Sequence, residues 1–112
     1  MMSVSFEGIG RWCATFLAGD VEQGDPVKIS ANGTVAACSA GDDFCGVAVS
    51  ERDGACSVQL GGFITLPYSG TAPTVGYTAL CADGTGGVKA GGTASYLTVD
   101  VDTTEKTVTI LL

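Results

Sequence analysis

The chain has 112 residues and a mass of 11.2 kDa, with twelve Asp and Glu against five Lys and Arg and no histidine, giving a formal charge of −7. This balance argues against nucleic acid or an anionic membrane as partner, because both depend on Lys and Arg neutralising phosphates. Missing histidine removes Ser/His and Cys/His catalysis, while 46% hydrophobic against 15% charged residues excludes a disordered chain.

The first twelve residues, MMSVSFEGIGRW, contain Val4, Phe6, Ile9 and Trp12, interrupted by Gly8 and Gly10, which weaken any helix or strand. They predict a flexible arm over 1–12 with adhesive side chains, ahead of a single β domain over 13–112. Exposed apolar groups on such an arm need a docking place, either on the protein's own barrel or on a partner. With no apolar run long enough for a leader or a membrane span, the chain is expected to be made and kept in a cytoplasm.

Seventeen glycines among short runs rich in Val, Ile and Thr predict many tight turns joining short antiparallel strands. In GDPVKISANGTVAAC, residues 24–38, a two-residue turn at Asn32–Gly33 pairs Ala31 with Thr34, Ile29 with Ala36 and Val27 with Cys38. Val27, Ile29, Ala36 and Cys38 then face inward. A turn at Asp53–Gly54 pairs Val49 with Val58 and Val47 with Leu60. Gly61 and Gly62 allow a bend that carries the ribbon to a second side of the barrel, and Pro67 ends it. At the C-terminus Val101 pairs with Val108 and Val99 with Ile110, leaving Asp100, Asp102, Thr107 and Thr109 outside. The segment GYTALCADGTGGVKA at 76–90 repeats the first hairpin loosely, so two related units are expected to share one small barrel or sandwich.

Little here resembles chemistry. Cys13, Cys38, Cys45, Cys56 and Cys81 show no C-x-x-C spacing, which favours core thiols over the alternatives of a metal site or a disulfide. Asp42–Asp43, Asp100 and Asp102 are read as solvated turns and strand faces. DGTGGVKAGG lacks the G-K-[ST] ending and following helix of a phosphate cradle. No cofactor, metal or catalytic residue is therefore expected, and the chain is not read as an enzyme.

The succession GDPVKI, NGTV, GDDFCGVAV, GACSVQLGGFITLP, GYTALCADGTGGV and VTILL, from about Val21 onward, resembles the small bacteriophage capsid decoration, or head-cement, proteins. The matching positions are Gly24, Asp25, Val27, Gly33, Gly46, Val47, Ala48, Gly62, Phe63, Leu66, Pro67 and Gly76. The second unit departs from the pattern, with Tyr77 where the first has an acidic residue. The resemblance implies an all-β, β-barrel or β-tulip-like domain that binds the outer surface of an assembled head, commonly as a homotrimer. It further implies contact with the major capsid protein through the N-terminal arm, Val4, Phe6, Ile9 and Trp12 here, and a place on the virion after synthesis in the host cytoplasm. An alternative is a virion surface or fibre domain in which Tyr68, Tyr77 and Tyr96 stack on a carbohydrate.

Overall fold

The computed structural model describes residues 10–112 and is all-β. Its strands are β1 (Trp12–Ala18), β2 (Pro26–Ala31), β3 (Thr34–Ala37), β4 (Gly46–Arg52), β5 (Ala55–Gly61), β6 (Phe63–Pro67), β7 (Gly76–Ala82), β8 (Val88–Asp102) and β9 (Thr107–Leu111). The first five close into a barrel in the order β1-β3-β2-β4-β5, and the last four form a second sheet in the order β6-β9-β8-β7. Strands pair antiparallel, except that β1 runs parallel to β3. With 15 residues, β8 is no short strand.

The expected all-β barrel is present, but of the two related units expected to share one barrel or sandwich only the first lies in it. Gly24 and Gly76 do take the same φ of 95° at the start of their units, but one unit lies in the barrel and the other in the sheet. The ring of five strands is complete by Gly61, and Gly62, at φ 86°, turns the ribbon out of it into β6. The bend therefore joins two sheets rather than two sides of one barrel. Gln59 secures it: this buried side chain donates from Nε2 to the carbonyls of Gly61 (3.0 Å) and Phe63 (3.1 Å).

Each hairpin has its turn where expected and its register displaced further along. Asp53 and Gly54 both adopt positive φ, as a two-residue hairpin turn between twisted strands requires. At the first turn only Gly33 does so. Ala31 faces Thr34, but Ser30 is then skipped, and Ile29 faces Val35 while Val27 faces Ala37. Val49 is skipped likewise, so Ala48 meets Val58 and Val47 meets Gln59. Val101 does face Val108, after which Val99 is skipped and Thr98 faces Ile110. A bulge adds one residue to one strand, which moves every later side chain by one step. Hence Val35 rather than Ala36 is buried, while Ile29 is exposed; Thr109 stays on the face opposite Val108 and Ile110, where it is covered by its hydroxyl bond to Thr65 at 2.8 Å.

Two cores result. Ala18, Val21, Val27, Val35, Ala48, Cys56 and Val58 fill the barrel. Phe44, Val47, Leu66, Tyr68, Leu80, Val88, Val108 and Ile110 form the other. β4 is the shared wall, since Val47 belongs to one cluster and its neighbour Ala48 to the other. A strand buried on both faces reads as a continuous apolar run, which is why GVAV does not alternate.

Candidate functional surface

The sequence-predicted contact residues fall on two sides of a boundary. Val4, Phe6 and Ile9 lie outside the described residues. Trp12 opens β1 and pairs with Gly61. Its indole covers that glycine so closely that a Cβ there would stand 1.8 Å from Nε1. The ring is nevertheless 58% exposed, so the barrel fixes one face and presents the other to solvent. Leu17 and Ile29 on the barrel, Tyr77 on β7 and Val75 in the loop just before it are further exposed apolar side chains.

The acidic loop between Cys38 and Cys45, read from sequence as a solvated tip, joins the two halves. Asp42 accepts from Lys28 Nζ of β2 at 2.6 Å and from the Ser39 amide. Its own carbonyl accepts from the Ala82 amide of β7, while the Gly41 amide donates to the Ala82 carbonyl. Asp43 accepts from the Thr93 hydroxyl of β8 at 2.6 Å and from the Thr93 amide at 3.4 Å. Phe44 stacks on Tyr96 with ring centroids 4.6 Å apart, and the Tyr96 hydroxyl donates to the Phe44 carbonyl. The Lys28 ammonium holds the Asp42 carboxyl below its usual range, and the Thr93 hydroxyl does the same for Asp43.

The glycine-rich loop after β7 is organised by one carboxylate. Asp83 accepts from the amides of Thr85 and Gly87 and from the hydroxyls of Thr85 and Ser69. Burial pushes the Asp83 carboxyl up, but these four donors outweigh it and leave the group below the usual carboxylate range. Its oxygens are thus committed to the turn. Across a cleft of about 200 Å³, this loop faces Glu22, Asp25 and Cys38. Among the described residues no group of three or more Cys, Asp or Glu is placed to hold a metal ion.

The five thiols are free and divided. Cys56 and Cys81 are buried, Cys38 is half-buried, and Cys13 and Cys45 are exposed, so the reading of core thiols holds for two of them. Burial pushes the Cys38 thiol up to about 11, which leaves it protonated and weakly nucleophilic at neutral pH.

The three tyrosines do not form one platform. Tyr68 is buried in the larger core, Tyr96 lies against Phe44, and only Tyr77 of the three stands out, at 80% exposure. A sugar-stacking surface needs several exposed rings together, and two of these three are packed against other side chains. No protein-family model and no curated protein matches the chain.

Proposed function

We propose that this protein decorates an assembled bacteriophage head, binding its outer surface through Val4, Phe6, Ile9 and Trp12 and bridging neighbouring major capsid protein subunits, with three copies acting together. The observation that carries the reading is Trp12, held against Gly61 at the root of an apolar N-terminal segment and still more than half exposed. An anchored aromatic of this kind contributes contact area at little entropic cost. The remainder of the described chain is suited to scaffolding, because its carboxylates at 42, 43 and 83 are engaged in loop hydrogen bonds. Many copies of a modest contact reinforce a shell through multivalency, with no active site required.

Co-sedimentation with purified, expanded phage heads tests it. The full chain should pellet with the heads, and a chain lacking residues 2–9 should stay in the supernatant while keeping its β circular-dichroism spectrum. Undiminished pelleting of the deletion would reject the role of the segment. A full chain that never pellets would reject the function.

A further inference from the structure

Asn32 is the single asparagine of the chain, and a glycine follows it. The pair forms the exposed turn between β2 and β3. Asn32 is bonded through its main-chain carbonyl, which accepts from the Thr34 hydroxyl at 3.1 Å, so among the described residues its carboxamide is uncommitted. Among those residues the Gly33 amide likewise donates to no backbone carbonyl. A Cβ on Gly33 would meet nothing within 4 Å, which leaves room around the peptide bond for a ring and for water.

Two aspartates also precede glycine, at Asp53–Gly54 and Asp83–Gly84. The second is closed to the same chemistry, because the Asp83 oxygens hold the amides of Thr85 and Gly87 and a Cβ on Gly84 would stand 3.0 Å from the Ala40 amide nitrogen. The end of β1 is held by the carbonyls of two turn glycines: Gly33 accepts from the Leu17 amide and Gly54 from the Ala18 amide, each at 2.9 Å. The Gly33 bond lies at the seam of β1 with β3, which closes the barrel through just Leu17 opposite Thr34 and Ala18 opposite Val35.

We propose that Asn32 is a site of spontaneous deamidation, and that its isoaspartyl product loosens the seam that closes the barrel. The Gly33 main-chain nitrogen attacks Asn32 Cγ, forming an N–Cγ bond as the Cγ–Nδ2 bond breaks. A cyclic succinimide results, and the side-chain nitrogen leaves as ammonia with the amide proton. Water then opens the ring. Addition at Cγ breaks the new bond and leaves aspartate; addition at the Asn32 main-chain carbonyl carbon breaks the original peptide bond and leaves isoaspartate, with the backbone running through Cγ. The second product lengthens the chain by one carbon before Gly33 and draws the Gly33 carbonyl away from Leu17. Either product adds one negative charge to a chain already at −7. The site belongs to the barrel and stands apart from the decoration reading.

Incubating the full chain in mildly alkaline buffer beside a free peptide of residues 29–36, with tandem mass spectrometry to locate the products, is the test. Asn32 should convert within about tenfold of the peptide's rate, as an exposed turn of low local stability allows, while Asp83 stays intact and an N32Q variant forms no acidic product at position 32. In the isoaspartyl fraction isolated by ion exchange, the Leu17 amide should exchange at least about tenfold faster than in the fresh chain, with Ala18 keeping its rate. Conversion slower than that tenfold limit would overturn the site. An isoaspartyl fraction in which Leu17 keeps its protection would overturn the loosening of the seam.

Discussion

Among the described residues the barrel of β1–β5 closes on itself, whereas the sheet of β6–β9 ends in two edges and draws on the barrel half for part of its core. Five strands enclose a narrow interior, and the barrel fills it with Ala, Val and Cys. The sheet holds the bulkier Leu80, Ile110, Leu66 and Tyr68, and takes Phe44 and Val47 from the connecting loop and β4. The acidic loop covers the end of β7 by pairing with Ala82. A closed sheet is self-sufficient; an open one has to borrow cover, and here it borrows from the segment next to it in sequence.

That contrast can be broken most severely at the shared wall. Gly46→Ala would set a Cβ 2.3 Å from the Gln59 carbonyl oxygen and 2.8 Å from Val58 Cγ1, so a loss above about 4 kcal/mol and insoluble expression are expected. Leu80→Ala, in the sheet core, should cost about 2–5 kcal/mol by urea denaturation. Val58→Ala, in the barrel, should cost about 1–2 kcal/mol, because fewer buried methyl groups are removed. Gln59→Leu removes the Nε2 bonds to the Gly61 and Phe63 carbonyls that span the bend and should lower stability by about 1–3 kcal/mol.

The smallest effect is electrostatic. Asp42 titrates below its ordinary 3.8 when folded, so its pair with Lys28 contributes above that value and is lost as pH falls through the lowered one. Lys28 is raised above 10.5, so its contribution is complete below 10.5 and fades as pH climbs past the raised value. A stability plateau between about pH 5 and 9, shallower at its acid edge in Lys28→Met, is the expected titration curve. High salt should flatten the difference between the two proteins.

Turn chemistry was readable because it is local: Asn32–Gly33, Asp53–Gly54 and the Gly61–Gly62 bend are each specified by the residues that form them. Register was not, since Ser30, Val49 and Val99 continue a plausible alternation and nothing nearby marks them as the extra residue. The role of Asp42 and Asp43 was hidden for a different reason. Their partners Lys28 and Thr93 lie 14 and 50 positions away, and only the folded chain brings them together. Gln59 carried no signal: pairing Val47 with Leu60 and Val49 with Val58 sets it on the outer face, where a polar residue is ordinary, and the register shift at Val49 brings it opposite Val47. At the N-terminus, Trp12 belongs to β1, while Val4, Phe6 and Ile9 lie outside the described residues.

The central claim is that barrel and sheet form one scaffold, joined by β4 and the loop from Cys38 to Cys45. Its most direct test is urea unfolding of the full chain followed at both ends at once, by fluorescence of Trp12 in the barrel and by the NMR signal of the Tyr96 ring in the sheet. A single coincident transition is expected. Loss of the Tyr96 signal at a lower urea concentration, with Trp12 fluorescence still native, would show two independent units and contradict the account.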